Sequence, residues 1–377
     1  MDRDQQSESL GDYHESHDYP TKLTDMASSV SEDSSEIRIP LIISQRTQEE
    51  KKGVSSLLEY VSSLAHLAVF GVLGVLTRHV LQKLFGPGMA NVTSDHSILY
   101  FDLPSNMVGS FLMGWFGIVF KADISRASDQ LSLGLSTGYL GSLTTFSGWN
   151  QKMLELSING HWVLAVLGFV IGFFLSAYSI ILGVETAKGF KWLLSRGGKG
   201  SSTEEGSVKS STHSHLIILL VLLLTWGGLW ITSGALFVKE FKDRESSAQL
   251  WLACLVGPFG VWIRSWLGLL NGRGLSKEGL FEWIPFGTLT ANVSAACIMA
   301  ALATMKKAVT TYNCDTIASG MQFGLMGCLS TVSTMMAEFY AMTHSKQPWK
   351  GYAYVITTVG VSFGLGTLIC SVPLWTK

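Results

Sequence analysis

A set of residues recurs within this chain at a constant offset of 186 positions. The recurring pairs are Gly74 and Gly260, Arg78 and Arg264, Asn106 and Asn292, Gly141 and Gly327, Thr145 and Thr331, and Ser147 and Ser333. One offset holds across three successive apolar segments, which chance similarity between apolar stretches would not produce. The chain is therefore built from two homologous repeats, and every local motif has to be interpreted within that duplication.

Long apolar runs fill most of the 377 residues, of which 47% are hydrophobic and only 15% charged. A bilayer core needs about 20 apolar residues per helix, and scanning for such runs predicts nine segments. They span residues 59–84, 103–120, 131–157, 161–184, 215–238, 249–270, 285–305, 317–342 and 350–373. We predict an all-α polytopic membrane protein, a composition that excludes a soluble globular protein or a large basic face for nucleic acid.

The repeats divide the membrane body into two four-helix units with one helix between them. Residues 59–184 form the first repeat and residues 249–377 the second, while residues 185–248 form a linker with an inverting transmembrane helix at about 215–238. A four-helix unit returns the chain to its starting side, so the single extra helix inserts the second repeat upside down. The pattern predicts a 4+1+4 arrangement with inverted topology.

Residues 1–58 carry 12 acidic and 6 basic side chains and lack a periodic apolar pattern. We expect this tail to be disordered and cytoplasmic, because such a composition buries too little apolar surface to offset the entropy of ordering. With the N-terminus inside, 14 Lys and Arg residues lie near inner helix ends and 8 near outer ones, which favours a cytoplasmic N-terminus and an extracellular C-terminus. The sequon at Asn91 would then be extracellular.

Polar groups inside membrane helices are costly, so each one is a candidate functional group. Arg78 and Arg264 are interpreted either as interfacial anchors whose side chains extend toward the membrane surface or as vestibule cations that attract an anion. Asn106 and Asn292 lie early in the second helix of each repeat. Their amide groups can donate to an anion without bringing a full charge, and we interpret them as pore-lining.

The third segment of each repeat contains glycines followed by β-branched and hydroxyl residues. The sequences are Gly141-Ser142-Leu143-Thr144-Thr145-Phe146-Ser147 and Gly327-Cys328-Leu329-Ser330-Thr331-Val332-Ser333. Such a sequence is unfavourable for a continuous helix and predicts a break near the membrane centre. A broken helix exposes backbone carbonyls that suit a cation and backbone amides that suit an anion.

Taken together, these motifs resemble those of the Fluc/FEX fluoride channel family. The shared features are Gly-x-x-x-Arg, the early asparagine of the second helix and Gly-x-x-Thr-Thr-Phe-Ser, and the 4+1+4 order is similar to that of the fused eukaryotic members. The resemblance covers about residues 60–373. It implies two pores that flank an interface, fluoride as the transported ion and a single chain acting as a pseudo-dimer in the plasma membrane.

The resemblance also implies roles for matching positions. Phe146 matches the first residue of the family's phenylalanine pair and Trp149 stands at the second; Val332 and Met335 occupy those places in the second repeat. The predicted anion-pore residues are Asn106, Asn292, Phe146, Trp149, Thr145, Ser147, Thr331, Ser333, Ser110 and Thr288, and the predicted vestibule residues are Arg78, Arg264 and Glu338. A structural Na⁺ is implied at the carbonyls of Gly141, Thr144, Gly327 and Ser330, with no organic cofactor.

The two repeats differ at positions that matter for a pore. Both aromatic residues are missing from the second repeat, Lys152 stands where a glutamate follows the motif, and Asp102 stands where the second repeat has Thr288. We therefore expect one pore to be degraded, although the sequence does not decide which one. The prediction is a passive channel that exports fluoride down its electrochemical gradient and confers resistance to it.

Other functions are consistent with part of this pattern. An ion-coupled carrier for a small anion or another small substrate shares inverted repeats and broken helices, and Glu338 would be its acidic group. A non-transporting scaffold leaves the repeated asparagines unexplained. An enzyme is least favoured, since no catalytic or metal-ligand set recurs in the two repeats.

Overall fold

The structure is a computed structural model that describes residues 38–94, 97–197, 212–272 and 282–375. Side-chain surroundings are described for residues 56–94, 97–196, 216–272 and 282–370. These residues form helices and connecting turns, without a strand among them. The all-α class predicted from the apolar runs is therefore confirmed.

The four predicted segments of the first repeat are divided in the described part of the chain into seven α-helices. The second and third segments each also contain a π-helical stretch. The elements are α1 (Arg38–Phe85), α2 (Leu103–Leu112, continued by a π-helical stretch at Met113–Val119), α3 (Lys121–Ala127), α4 (Asp129–Leu133, continued by a π-helical stretch at Gly134–Leu140), α5 (Gly141–Leu143), α6 (Phe146–Ile158) and α7 (Trp162–Gly197). Between α5 and α6 the chain is extended at Thr144 and Thr145. The predicted break in the third segment thus lies at these two residues.

After one intervening helix, the second repeat has a similar order of elements, except that its second segment is a single continuous helix without a counterpart of α3 among the described residues. The elements are α8 (Thr212–Lys242), α9 (Ala248–Gly268), α10 (Phe286–Ala308), α11 (Tyr312–Met321, continued by a π-helical stretch at Gln322–Met326), α12 (Gly327–Leu329), α13 (Ser333–Thr343) and α14 (Trp349–Trp375). Ser330 is extended, and the helix resumes at Ser333. The second break lies 186 positions after the first.

Six helices in the described residues are long and apolar enough to cross a membrane, or seven if α2 and α3, which are bent by 65°, form one span. The remaining two of the nine predicted segments are those containing the breaks. Each break shortens its helices below the length of a continuous span, which explains the smaller number. The 4+1+4 topology stays a prediction.

The predicted boundary of the N-terminal tail differs from the structure, because α1 begins at Arg38. Residues 38–58 were expected to be disordered but are helical. The difference has a physical reason, since adding turns to an existing apolar helix avoids the cost of nucleating a new one, and residues 45–52 are rich in Gln, Glu, Lys and Arg, which favour helices. Residues 1–37 lie outside the described part of the chain.

The two repeats meet where α1 and α9 cross through reciprocal contacts. A Cβ atom on Gly71 would lie 2.8 Å from the side chain of Val261, and one on Gly257 would lie 3.3 Å from Val75. Gly257 is the equivalent of Gly71 in the second repeat, and Val261 is the equivalent of Val75, so the two contacts are equivalent. An interface in which residue i of one copy contacts residue j of the other, and vice versa, has two-fold symmetry.

The intervening helix α8 packs mainly against α9 and exposes most of its apolar side chains. Trp230 Nε1 donates to the carbonyl of Leu255 at 3.0 Å, and the Trp226 ring lies edge-on to Trp262 with centroids 5.8 Å apart. Exposed Leu and Ile side chains without protein neighbours suit a helix that faces lipid. The role of α8 as the linker helix that inverts the second repeat stays a prediction.

Candidate functional site

Each asparagine of the second segment is hydrogen-bonded to the backbone of the break. Asn106 Oδ1 accepts from the amide of Thr145 at 2.8 Å, and its Nδ2 donates to the carbonyl of the same residue at 3.1 Å. Asn292 makes the equivalent two bonds to Thr331 at 2.8 and 3.1 Å. Both side chains are fully buried. The asparagines therefore hold the extended residues in place, a contribution that the pore-lining hypothesis did not include.

The remaining donor of each amide distinguishes the two repeats. Asn106 Nδ2 also donates to the Tyr100 hydroxyl at 3.1 Å. Asn292 Nδ2 instead lies 3.9 Å from the sulfur of Met335, which is a weak acceptor. The amide of Asn292 consequently keeps more of its donor capacity for another ligand.

The two breaks cross at the centre of the protein, where each one completes the helix start of the other. The amide of Ser333 donates to Thr144 Oγ1 at 3.1 Å, and the amide of Ser147 donates to Ser330 Oγ at 3.0 Å. In addition, the Ser333 and Ser147 hydroxyls donate to the carbonyls of Leu140 and Met326 at 3.1 and 3.2 Å. Each helix start thus has one hydroxyl from its own repeat, Thr145 for α6 and Thr331 for α13, and a second one from the opposite repeat.

The two arginines reach across the same interface. Arg264 donates through Nε to the carbonyl of Cys328 at 2.7 Å and through a terminal nitrogen to that of Thr137 at 2.7 Å. Arg78 donates to the carbonyl of Phe323 and lies 4.4 Å from the centroid of that ring. Only 1% of Arg78 and 6% of Arg264 is exposed. Both guanidinium groups lie inside the protein and donate to its carbonyl groups, while Nε of Arg78 has no partner among the described residues; this burial does not favour the interfacial-anchor interpretation.

Gly141 and Gly327 provide the space for these arginines. A Cβ atom on Gly141 would overlap the guanidinium of Arg264, and one on Gly327 would overlap that of Arg78. The glycines of the repeated motif thus serve the arginines of the opposite repeat. The constant offset does not predict which glycine contacts which arginine. It relates each residue to its equivalent in the other repeat, and it would be the same if each glycine contacted the arginine of its own repeat.

The four carbonyl oxygens implied as Na⁺ ligands lie at the ends of α5 and α12. The amides of Thr145 and Thr331 bond to the asparagines and not to Gly141 and Gly327. Within the described residues, no loop amide or side chain donates to the carbonyls of Gly141, Thr144, Gly327 or Ser330. Hard cations prefer such free backbone oxygens, so the donor set fits Na⁺, although the two guanidinium groups nearby oppose its charge.

The aromatic residues of the first repeat are packed inside the bundle. Phe146 and Trp149 are fully buried, with ring centroids 5.9 Å apart and planes nearly perpendicular. Trp149 stacks on Tyr100 with ring centroids 6.0 Å apart. Its ring also fills the space beside Gly172, where a Cβ atom on Gly172 would lie 2.7 Å from the ring. In the second repeat Met335 and Val332 are equally buried, as their apolar nature requires.

A row of hydroxyl groups on α14 escaped the sequence analysis. Tyr354, Thr358 and Ser362 follow one another at intervals of four residues, so they share one face of the helix, and all three are buried. The equivalent residues on α7 are Gly168, Gly172 and Ser176. In this row only Ser176 and Ser362 carry a hydroxyl in both repeats. A search for polar residues that recur at the offset therefore finds this pair and misses Tyr354 and Thr358.

Glu338 belongs to this second-repeat group and not to an open vestibule. Its carboxyl oxygens accept from the hydroxyls of Thr288 at 2.6 Å and Tyr354 at 2.7 Å. In the first repeat Asp102 stands at the position of Thr288 and accepts from Gln82 at 2.6 Å. The two repeats therefore carry their carboxylates at different places along their helices.

An open vestibule lies on the side of Arg78 and Asp102. One cavity of about 400 Å³ is bordered by Arg78, Asp102, Thr145 and Gly148, and an adjoining one of about 510 Å³ shares Asp102 and Gly148. The adjoining cavity also borders Lys152, Lys306 and Lys307. The cavities reach the start of α6 beside the break, and the vestibule role of Arg78 stays a prediction.

The structure brings most of the predicted pore residues to the crossing, with Ser110 lying apart from it. Thr145 Oγ1 lies 3.1 Å from Ser330 Oγ, and Thr331 Oγ1 lies 3.2 Å from Thr144 Oγ1. Ser110 is buried one turn after Asn106, and its hydroxyl has no hydrogen-bond partner among the described residues. Whether any of these groups contacts a permeating ion stays a prediction.

Comparison with known proteins identifies both repeats. The family model described as "CrcB-like protein, Camphor Resistance (CrcB)" matches residues 65–184 and again residues 251–370. The fluoride-specific ion channel FluC of Geobacter metallireducens is 29% identical over 126 residues, which cover 33% of this chain and 97% of that protein. Fluoride-specific ion channel FluC 2 of Listeria monocytogenes is 31% identical over 121 residues, covering 31% of this chain and 82% of that protein. No solved structure matches the chain.

Proposed function

The chain belongs to the CrcB-like family, and from that premise we propose that it is a passive, fluoride-selective anion channel that exports fluoride from the cytoplasm and confers resistance to it. The similar proteins named fluoride-specific ion channel FluC support this assignment. The observation that carries it is the pair of crossed breaks, each held by a buried asparagine and capped from the opposite repeat. This arrangement gives the bundle two equivalent sites at which neutral donors meet.

We propose that the conducting pathway follows α10 and α14. Asn292 and Ser362 keep donor capacity along it, since the Asn292 amide faces only the weak Met335 acceptor and the Ser362 hydroxyl has no partner among the described residues. The hydroxyls of Thr288 and Tyr354 donate to Glu338 and that of Thr358 donates to the Tyr354 carbonyl, so they would have to exchange these partners for the ion. Phe146 begins α6, which packs against these two helices, and aromatic ring edges carry partial positive charge. A small, strongly hydrated anion can exchange its water for such donors and still leave, because none of them carries a full charge.

The equivalent pathway along α2 and α7 is, in this proposal, the degraded one. Gly168 and Gly172 stand where α14 has hydroxyl residues, and Trp149 fills the space beside Gly172. The second N–H of the Asn106 amide already donates to the Tyr100 hydroxyl. Asp102 at its mouth accepts from Gln82 and adds a carboxylate that would repel an anion more strongly than the Glu338 carboxyl group, which the hydroxyls of Thr288 and Tyr354 enclose.

The orientation in the membrane belongs to the same proposal. A cytoplasmic N-terminus and an extracellular C-terminus, in the plasma membrane, are supported by the excess of Lys and Arg near the inner helix ends. An inside-negative potential then drives fluoride outward, with about 2.3 kcal/mol per elementary charge for each 100 mV. The single chain would act as a pseudo-dimer, and Na⁺ at the carbonyls of Gly141, Thr144, Gly327 and Ser330 would add rigidity to the crossing.

An ion-coupled carrier is the second candidate, and Glu338 is the observation that favours it. This carboxyl group is enclosed by the hydroxyls of Thr288 and Tyr354 inside the bundle. Carboxyl groups in such surroundings serve as proton carriers in coupled transporters. A carrier would require fluoride movement to depend on a proton gradient.

The deciding experiment is fluoride efflux from liposomes that contain the purified full-length protein. We expect efflux that follows an imposed potential, needs no proton gradient and is not matched by chloride. Protein-free liposomes and liposomes loaded with chloride serve as controls. Strict dependence of fluoride movement on a proton gradient would replace the channel with the carrier, and absence of fluoride movement would reject both.

A further inference from the structure

Helix α14 passes first along α13 and then along α6. Near its start Gly351 lies beside Thr343 and Phe339, and Tyr354 bonds to Glu338. Farther along the helix, a Cβ atom on Gly366 would lie 2.5 Å from Leu154 in α6. Helix α14 thus leaves the second repeat's break behind and continues beside a helix of the first repeat, both running in the same direction.

One helical turn before this contact, each helix carries a buried polar residue. Asn150 precedes Leu154 by four positions, and Ser362 precedes Gly366 by four, so each residue shares a face with its contact residue. Both side chains have 0% exposure. Neither polar atom of Asn150 nor the hydroxyl of Ser362 has a hydrogen-bond partner among the described residues.

Such groups are costly unless something binds them, because a buried donor or acceptor without a partner retains its full desolvation penalty. Packing does not require a polar residue at this place in α6, since the second repeat has Met336 at the equivalent position and buries it fully. The polarity of Asn150 therefore calls for a ligand that the protein itself does not provide.

We propose that Asn150 and Ser362 together form an anion subsite between the two repeats, with fluoride as its ligand. This inference rests on the proposed channel function and adds a first-repeat residue to the pathway along α14. The Nδ2 group and the hydroxyl donate to the ion without a fixed charge. Asn150 Oδ1 can only accept, so it needs a donor other than the anion. A water molecule that accompanies the ion donates to this oxygen, and the ion therefore keeps part of its hydration at this point.

The test compares fluoride efflux and thermal unfolding of the full-length protein with those of three single variants and of the double variant at Asn150 and Ser362. Asn150→Met introduces the residue that the second repeat carries, and Ser362→Ala removes one hydroxyl. Ser179→Ala is the matched control, because the Ser179 hydroxyl already donates to the Leu175 carbonyl at 2.7 Å. We expect about a tenfold or larger loss of flux for the first two variants and none for the control, as the loss of a donor to an ion implies.

Stability separates this role from a packing role. We expect Asn150→Met to keep or raise the unfolding temperature while lowering flux, because it removes unpaired polar atoms from the interior. We also expect the double variant to lose less flux than the product of the two single losses, since both groups contact one ion.

Several results would overturn the subsite. One is a fluoride flux of Asn150→Met within about twofold of the wild-type flux. This result would indicate that Asn150 binds a buried water molecule and no ion. Another is a loss of flux accompanied by lower unfolding temperatures in both single variants. A wild-type protein that moves no fluoride would instead reject the proposed channel function, before any variant is compared.

Discussion

At the scale of single residues, Gly141 and Gly327 act by leaving out a side chain. The space that a Cβ atom would fill is taken by the guanidinium groups of Arg264 and Arg78, which donate across the interface to the carbonyls of Thr137 and Phe323. Filling either space would separate a buried charge from the carbonyl groups that stabilise it, so the glycine and the arginine have to change together. The pair is therefore one functional unit divided between the repeats.

Adding a methyl group at these glycines should displace the arginines. We expect Gly141→Ala and Gly327→Ala each to lower the free energy of unfolding by about 1–3 kcal/mol, as overpacking of an interior does. Chemical unfolding in detergent, followed by tryptophan fluorescence, measures the change. Gly227→Ala in α8 is the control, since no atom lies within 4 Å of its Cβ position. Equal stability of all three variants would contradict the assigned packing.

The two asparagines should respond unequally when their donors are removed. Asn106→Ala and Asn292→Ala both lose two bonds to the break, so we expect each to be less stable by about 1–3 kcal/mol. Fluoride flux from liposomes should fall strongly for Asn292→Ala only, because Asn292 lies beside the hydroxyl row of α14. Equal partial losses of flux would argue against a single conducting pathway.

At the scale of elements, the broken segments depend on each other for their helix starts. Thr144 accepts from the start of α13 and Ser330 from the start of α6, so each short helix uses a hydroxyl of the opposite repeat in addition to its own Thr331 or Thr145. Because a cap is needed wherever a buried helix starts, a break in one repeat is stable only against the other repeat. The crossing is thereby a joint element of both repeats.

Removing these hydroxyls should weaken the crossing. We expect Thr144→Val and Ser330→Ala each to lower the free energy of unfolding by about 1 kcal/mol, the usual value of an N-cap. Thr144→Ser, which keeps the hydroxyl, should retain wild-type stability. The comparison uses the same fluorescence measurement, and a Thr144→Ser variant as unstable as Thr144→Val would show that the methyl group and not the cap matters.

The sequence predicted the elements better than their contacts. The offset of 186 positions located both breaks and both asparagines, because these features need the same residue types in each copy. It missed Tyr354 and Thr358, whose counterparts Gly168 and Gly172 are not polar. The burial of Arg78 and Arg264 was also missed, since the repeat pattern gives the position of an arginine but not the carbonyl groups that it meets in the other copy.

At the scale of the whole molecule, neither repeat contains a complete site. Caps, arginines and the proposed Asn150–Ser362 subsite all take one partner from each repeat. The apolar clusters likewise combine residues of both repeats, such as Val75 with Val261 and Phe146 with Val332. Folding of the membrane body should therefore be a property of the full chain.

Cutting the chain between Gly200 and Ser201 tests this dependence. We expect neither half to give a monodisperse protein by size-exclusion chromatography when it is expressed alone, because its helix starts at the break lack their caps and its arginines or glycines lack their partners. Co-expression of the two halves should restore a complex with the size of the intact protein. A stable, monodisperse single half would show that the contacts across the interface are dispensable.

The crossed breaks also determine how such a protein can change over generations. In a dimer of identical chains, a mutation at Thr144 would alter both caps at once, whereas in this chain the partner at Ser330 is encoded separately and can remain unchanged. Substitutions away from the crossing, such as Gly168 for Tyr354, can accumulate in one copy without cost to the other. Duplication within one gene thus frees the flanks to diverge while the centre must keep its two halves complementary.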